Sequence, residues 1–234
     1  MNTPQTQIQK IAELVVEFPV RGFWIAPNSP GTKVPSHGTT SFGEAYAIDL
    51  VMINGADKSK KPYRSSFFRY LLQGVPLSDF YGWGQTVHSP VNGQVIDVVN
   101  DIEERNRVNP FTDLRYMRKA TKEYINNGKP ETVAGNYVLI KLNEHQYALL
   151  AHMVKGSIKV FPGASVERDQ PIGQLGHSGN STMPHLHMQL MDSSDFSVAR
   201  GIPFVFREYE IAENGKWKTI NNSVPTTKDI VRKL

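Results

Sequence analysis

Short apolar runs bounded by Gly, Pro, Asn and Ser recur along most of this 234-residue chain. Among them are AYAIDLVMI (45–53), and NYVLIKL and QYALLAHM, which flank a short polar turn. Runs of this length, rich in β-branched and aromatic residues, are typical of strands. Such closely spaced strands predict an all-β fold, with a compact antiparallel sheet or a sandwich-like core.

Turn residues predict where neighbouring strands pair. Asn92-Gly93 lies between apolar runs in QTVHSPVNGQVIDVV, and Asn214-Gly215 separates the last two runs. Asn-Gly favours the tight turns that match the twist of paired strands. We therefore expect a hairpin at each Asn-Gly pair and a third hairpin around NEHQ (143–146).

Two segments interrupt the strand pattern. Residues 58–82 are basic and aromatic and predict a loop or short helix, whereas residues 101–130 carry a helical pattern near 111–126. The predicted inner face of that helix carries Leu114, Met117 and Tyr124. Both segments are interpreted as insertions on the β core. With no clear linker, the whole chain, 1–234, is expected to form one domain.

Composition excludes several kinds of site. The chain has no cysteine, so disulfides, thiol nucleophiles and cysteine-ligated metals are ruled out. The net charge of +4 is small, and the basic residues do not form the patch expected of a nucleic-acid-binding protein. The chain has neither an apolar run long enough for a membrane span nor, near residue 1, the apolar core of a signal peptide. These features leave the cellular location and the oligomeric state open.

Two of the seven histidines stand one residue apart in STMPHLHMQL, residues 181–190. On a strand, alternate side chains share a face, so His185, His187 and Gln189 are expected on one side. Leu186, Met188 and Leu190 then face the core. The histidine face is either a solvated pair or a metal ligand next to a proton-transfer group, since histidine serves both roles at neutral pH.

Three other residues could complete such a site. Asp49 interrupts the apolar run YAIDLVM, where a carboxylate is costly unless it is paired or bound to a metal. His152 ends the strand-like YALLAHM, and His37 lies in a loop of small polar residues. An exposed Asp49 and a hydrogen-bonded structural His152 are the alternative interpretations.

The order of motifs resembles the M23 metallopeptidases, the zinc endopeptidases of the lysostaphin and LytM type. The resemblance rests on SPVNG, GNYV, AHM, IGQLGHSGNST and PHLH, which occur in that order over roughly residues 84–190, with a weaker extension back to Asp49. The resemblance implies a compact antiparallel β-sheet with a groove, and it implies hydrolysis of peptide bonds in peptidoglycan cross-links or stem peptides. Family members typically act in the cell envelope or outside the cell.

The resemblance also implies roles for individual residues. The family typically binds one Zn²⁺ through a His, an Asp and the second His of the His-x-His pair, which makes Asp49 and His187 metal ligands. His152 and His185 take the two catalytic positions.

One ligand departs from the family pattern. The family's first two ligands are usually spaced His-x-x-x-Asp, but four residues before Asp49 stands Ala45, which cannot bind a metal. His37, twelve residues before Asp49, is the expected substitute ligand, because its glycine-containing loop can return to the strand. Glu44 is disfavoured by strand phase, and a degenerate site without metal stays open. The remaining histidines are expected at the surface or the rim: His88, His145 and His177.

Three other functions compete with a peptidase. A catalytically degenerate M23-like module could bind or regulate without zinc. A carbohydrate-binding or carrier-type β module is the second, since DQPIGQLG resembles turns of lipoyl and biotinyl carrier domains, although a carrier presents a lysine where this strand pair offers His-Leu-His. A metal-dependent hydrolase of another bond is the third alternative.

Overall fold

The computed structural model describes residues 3–11, 14–55 and 60–234. The strands in these ranges are β1 (Leu14–Val16), β2 (Gly22–Asn28), β3 (Ile48–Met52), β4 (Val75–Pro76), β5 (Thr86–His88), β6 (Gly93–Val99), β7 (Arg107–Val108), β8 (Asn136–Asn143), β9 (Gln146–Met153), β10 (Ser165–Val166), β11 (Pro171–Gln174), β12 (Leu186–Met191), β13 (Phe204–Glu213), β14 (Lys216–Ser223) and β15 (Val231–Lys233). The helices are α1 (Pro4–Ile11), α2 (Phe67–Leu72), α3 (Pro110–Asn127) and α4 (Glu131–Ala134), with 3-10 turns at Ser41–Tyr46 and Leu77–Asp79. Within the described ranges, no helix is both long and apolar enough to cross a membrane.

One large sheet forms the centre of the fold, which confirms the all-β prediction. Its strands follow the order β1-β13-β15-β2-β3-β12-β9-β8-β6-β10, with β14 paired to β13. The pairs are antiparallel except for β1, which lies parallel to β13 at one edge. The expectation of one domain stays a prediction.

Two of the three expected hairpins are present. β8 and β9 pair around NEHQ, with Asn143 opposite Gln146. β13 and β14 pair with Glu213 opposite Lys216, and the two turn residues between them, Asn214 and Gly215, both have positive φ. This is the turn geometry that Asn-Gly favours.

The expected hairpin at Asn92-Gly93 is wrong. β5 pairs with β11, whereas β6 pairs with β8 and β10. Gly93 is instead required by a close approach: a Cβ there would lie 2.5 Å from the carbonyl oxygen of Lys141 on β8. The glycine therefore allows two strands to pair and does not mark a tight turn.

The sheet separates an apolar face from a polar face. Leu186, Met188 and Leu190 of β12 pack in the main core together with Ile48 and Leu50 of β3. Burying each such side chain stabilises the fold by about 1.5–3 kcal/mol. Intervening residues point to the opposite face, as the alternation in the sequence predicted, so the same strands that build the core also present the polar side chains of the site.

The first insertion forms a short helix, α2, as expected. Residues 58 and 59 at its start lie outside the described residues.

The second insertion forms α3 close to the predicted range. Asn109 caps its start by accepting hydrogen bonds from the backbone N–H of residues 111 and 112, and Gly128 ends it with φ 66°. The predicted inner face is right at Tyr124 and wrong at Leu114, which is half exposed. The helix instead buries Asp113, whose carboxylate pairs with Arg105, and this ion pair turns Leu114 outward.

Candidate metal centre

His187 lies at the middle of the polar face, on β12 between β3 and β9. Asp49 on β3 and Ala151 on β9 stand directly opposite it. The Nδ1 atom of His187 is 2.9 Å from Oδ1 of Asp49. Antiparallel register therefore brings together two residues that are far apart in the sequence.

The loop before β3 brings His37 to the same carboxylate. Nε2 of His37 lies 3.1 Å from Oδ2 of Asp49, and its Nδ1 lies 2.9 Å from the hydroxyl of Ser36. Ser36 ties the loop down, because its backbone N–H donates to the carbonyl of Ala45 over 3.0 Å. The twelve-residue spacing is thus closed by a loop and the 3-10 turn at Ser41–Tyr46.

That 3-10 turn depends on a glycine. Gly43 has φ +77°, and a Cβ there would come within 3.0–3.1 Å of Gln189 and Met191 on β12. A larger residue would push the turn away from the sheet, and the loop that carries His37 would move with it.

Glu44 belongs to the same turn and not to a strand, because β3 begins only at Ile48. The sequence analysis used strand phase to set the direction of the Glu44 side chain, but strand phase does not apply to a residue of this turn. Glu44 lines the same cleft as Asp49. Among the described residues, the group with ligand spacing around Asp49 contains His37 and His187 but not Glu44.

Three ligand atoms converge on one point. The donor atoms of His37, Asp49 and His187 all lie within 4.8 Å of one another. Imidazole nitrogens and a carboxylate oxygen are the donors that zinc takes in proteins. The residues present therefore fit a zinc ion by their chemistry and by their spacing.

Amide side chains hold Asp49 and His187 in place. The Nδ2 of Asn28 donates to Oδ2 of Asp49 over 2.7 Å, and Nε2 of His187 is 2.9 Å from Oε1 of Gln189. The Gln189 amide nitrogen donates in turn to the carbonyl of Phe42. Such outer contacts fix the orientation of a ligating ring and leave its other nitrogen for the metal.

His152 and His185 face each other next to these ligands. Their ring centroids are 4.6 Å apart, and the His152 ring is 5.9 Å from that of His187. Nδ1 of His152 donates to the carbonyl of Ser178 over 2.9 Å, and Nδ1 of His185 donates to the carbonyl of Met183 over 2.8 Å. Each ring thus carries its proton on Nδ1 and keeps the lone pair of Nε2.

The ionisable groups of the buried site have pKa values shifted in different directions. Burial raises the pKa of Asp49, but the attraction of His185 in its protonated form and the hydrogen bonds from His187 and His37 outweigh this effect and hold the pKa well below its usual value. Burial lowers the pKa of His187, but the hydrogen bond and charge of Asp49 raise it to about 9. The pKa values of His152 and His185 are both lowered, chiefly by burial.

All five residues singled out from the sequence gather around one cleft of about 340 Å³. They are His37, Asp49, His152, His185 and His187. Their roles as ligands and catalytic groups stay predictions.

The other three histidines differ in how deeply they are buried. His145 is exposed in the β8–β9 turn, as expected, and His88 is only partly buried. The prediction for His177 is wrong, since its side chain has no exposed area. It is buried because it bonds Arg105 and Ser181, which lie on different segments.

Sequence reasoning missed Asn28, Arg105 and Asp113. Asn28 stands opposite Asp49 in the β2–β3 register, and a polar residue at the end of an apolar strand was the available signal. Arg105 and Asp113 stand among charged residues of the 101–130 insertion, where a buried ion pair and solvated charges look the same in sequence.

The family model described as Peptidase family M23 matches residues 120–198, which include His152, His185 and His187. Over this segment the chain is similar to peptidase family M23. His37 and Asp49 lie outside the matched segment, so their expected role as metal ligands is supported only by the spacing of their donor atoms.

Solved structures similar to this chain include three from bacteria or their prophages. A mutant catalytic domain of the prophage-encoded M23 protein EnpA from Enterococcus faecalis shares 18% identity, with 67% of this chain and 72% of that chain covered and a TM-score of 0.32. The catalytic domain of the antimicrobial peptidase lysostaphin from Staphylococcus simulans shares 16%, with coverage of 83% and 92% and a TM-score of 0.34. A zinc-containing peptidase from Vibrio cholerae shares 19%, with coverage of 66% and 48% and a TM-score of 0.33. This chain therefore spans about half of the Vibrio cholerae chain.

Proposed function

We propose that this protein is a zinc-dependent endopeptidase of the M23 type. His37, Asp49 and His187 bind the metal, and His152 and His185 are the catalytic histidines. The proposal is carried by one observation: three ligand atoms within 4.8 Å of one another lie beside two imidazoles, in a cleft large enough for part of a peptide. A catalytic zinc site uses three protein ligands and keeps one position open.

Zinc, when bound, lowers the pKa of a coordinated water to about 7 and polarises a substrate carbonyl. The protein's own part is to supply proton acceptors beside that position. Burial keeps His152 and His185 neutral near pH 7, and their Nδ1 bonds to backbone carbonyls leave Nε2 available. A proton accepted at Nε2 is then delivered to the leaving amine, a role worth about 10²–10⁴ in rate.

The substrate is proposed to be a peptide of peptidoglycan, the substrate class that the family resemblance implies. The cleft supports this with apolar and aromatic side chains in its lining. Phe42 and Tyr124 pack edge to face with ring centroids 4.7 Å apart, and Met117 and Phe196 also line the cleft. An extended peptide with small side chains is the proposed occupant of this cleft. A peptidoglycan substrate implies action in the cell envelope.

The decisive experiment combines metal analysis with product analysis. The purified protein is stripped of metal and reloaded with Zn²⁺, and zinc per chain is measured by mass spectrometry. Purified peptidoglycan is then digested, and the released fragments are examined for new amino termini. We expect about one zinc per chain, the complement of a three-ligand catalytic site, together with new amino termini that disappear when the metal is stripped.

Other results would favour a different function. Binding of peptidoglycan without zinc and without cleavage would identify a catalytically degenerate module. Zinc binding with release of fragments that carry no new amino terminus would identify a hydrolase of another bond.

A further inference from the structure

A second polar cluster lies behind His185, on the side away from the metal ligands. It joins the 101–130 insertion to a loop that we call the 177–183 loop. Asp113 of α3 is 1% exposed, and Arg105 pairs with it over 2.8 Å from Nε to Oδ1. The Arg105 guanidinium also stacks on Tyr116, 4.1 Å from its ring centroid. The ion pair thus holds the guanidinium in one place.

Both terminal nitrogens of Arg105 reach the 177–183 loop. Nη1 donates to the carbonyl of Gly179 over 3.0 Å, and Nη2 donates to the carbonyl of Ser181 and to Nε2 of His177. A guanidinium presents its N–H groups in a rigid planar fork, which a lysine ammonium cannot reproduce. Arg105 therefore fastens this loop at three points.

The direction of these bonds determines the state of His177. A guanidinium only donates, so Nε2 of His177 must accept and its proton must lie on Nδ1. Nδ1 then donates to the Ser181 hydroxyl over 3.0 Å, and that hydroxyl donates to the carbonyl of Met183 over 2.7 Å. A continuous run of hydrogen bonds connects Arg105 to Met183.

The 177–183 loop holds both catalytic histidines. The carbonyl of Met183 accepts the Nδ1 proton of His185, and the carbonyl of Ser178 accepts the Nδ1 proton of His152. The Ser181 hydroxyl also lies 3.1 Å from Nδ1 of His185. If the loop shifted, both rings would lose the partners that keep Nε2 unprotonated and directed into the cleft.

We infer that Arg105 is a positioning residue for both His152 and His185, which it orients by fastening the 177–183 loop to helix α3. The insertion thereby does more than border the cleft, because it fixes the proton acceptors of the reaction. The catalytic part of this inference rests on the proposed peptidase function, whereas the control of the two imidazole tautomers does not.

The main test replaces Arg105 with lysine, which keeps a positive charge beside Asp113 but removes the fork. Tautomers of His152 and His185 are read by long-range ¹H–¹⁵N NMR on the metal-free protein. Wild type should show both as Nδ1–H, and Arg105→Lys should show mixed tautomers at both. With zinc bound, kcat should fall about 10- to 100-fold, the size typical of losing an outer contact at a metal site, with KM and zinc content nearly unchanged.

Arg107→Lys is the matched control. Arg107 is exposed in the same segment, so the Arg107→Lys variant should have the kcat and both histidine tautomers of wild type. The inference would be overturned if Arg105→Lys kept both tautomers unchanged and a kcat within about twofold of wild type, since the expected loss is about 10- to 100-fold. If wild type itself cleaves nothing, the peptidase proposal fails and the NMR comparison still decides the role of Arg105.

A second variant covers the case in which Arg105→Lys does not fold. Ser181→Ala removes the hydroxyl that links His177 to Met183 and leaves the Arg105–Asp113 pair intact. It should alter the tautomer of His185 and not that of His152, whose carbonyl partner belongs to Ser178. Equal effects on both histidines, or none on either, would contradict the assigned path.

Discussion

The two buried polar clusters on either side of His185 differ in how their charges are satisfied. In the metal-centre cluster, imidazole nitrogens of His37 and His187 point at one carboxylate, and all three groups line the cleft. In the Arg105 cluster, the Asp113 carboxylate accepts from the guanidinium and from the backbone N–H of Asn109, and it lies away from the cleft. The metal-centre cluster presents its donor atoms to the cleft, whereas in the Arg105 cluster the opposite charges of Arg105 and Asp113 pair with each other.

The difference shows how to separate a binding site from a structural ion pair. A buried charge is costly unless a partner neutralises it. Arg105 and Asp113 neutralise each other, so nothing further is required. Around Asp49, the proton of His187, whose pKa is raised to about 9, balances the carboxylate, and a divalent cation can replace that proton because metal binding requires deprotonated ligands. Burial of charge alone does not identify a metal site, whereas convergence of lone pairs on one opening does.

Removing a ligand from the metal-centre cluster should have the largest effect. His187→Ala takes away the ligand that stands opposite Asp49 in the sheet. Zinc content should fall to near zero, and peptidoglycan cleavage should fall at least about 10³-fold, because the lost Lewis-acid effect is worth several kcal/mol. Zinc is measured by mass spectrometry and activity by release of new amino termini.

His145→Ala, in an exposed turn of the same sheet, is the matched control and should keep wild-type zinc and activity. Retention of zinc by His187→Ala would show that the ligand set is wrong.

A change at His152 should separate chemistry from metal binding. His152→Gln keeps a polar side chain but removes the imidazole that accepts the proton. We expect kcat to fall about 10²–10⁴-fold, the usual contribution of a general base, while zinc remains bound. Measured zinc content and kcat on the same preparation check this. Normal cleavage by this variant would remove His152 from the mechanism.

Much of the fold was predictable because the local signals agreed. Alternation in β12 correctly assigned Leu186 and Met188 to the core and His187 to the opposite face. Asn214-Gly215 gave a true hairpin, since both residues adopt positive φ. Asn92-Gly93 did not, because the requirement at Gly93 comes from a strand that lies far along the chain. A dipeptide pattern cannot distinguish a turn from a close approach.

Site residues were predictable where strand alternation or a sequence motif indicated them. They were not predictable where the path of a loop sets the position of the side chain. The place of His37 beside Asp49 was expected, but the 3-10 turn that achieves it was not. The burial of His177 was missed because it depends on Arg105 and Asp113, two charged residues that resemble a solvated surface in sequence. Tertiary pairing of charges leaves no periodic signal.

Breaking the Arg105 cluster should cost stability even though it lies outside the metal centre. Asp113→Ala leaves a mostly buried guanidinium without its carboxylate. The free energy of unfolding should fall by about 3 kcal/mol, near the lower end for a broken buried pair. Urea denaturation of the metal-free protein measures it.

Glu123→Ala on the exposed side of the same helix is the control and should change stability by less than about 0.5 kcal/mol. Equal effects of the two substitutions would mean that the Arg105 cluster is not structural.

The smallest expected effect is a change in pH dependence at His177. Burial, aided by the charge of Arg105, lowers the pKa of His177 although Asp113 acts in the opposite direction. The folded protein therefore holds this ring neutral, while the unfolded chain takes up a proton near pH 6.5. Stability from this group is present above that pH and is lost as the pH falls below it, by up to about 1.4 kcal/mol per pH unit. His177→Gln removes this contribution, so between pH 7.5 and 5 the unfolding free energy of the variant should decline less steeply than that of wild type. The other buried histidines titrate in both proteins, so only the difference between the two curves reports on His177. Parallel curves would mean that His177 is protonated in the fold, and that Arg105 does not face an accepting nitrogen.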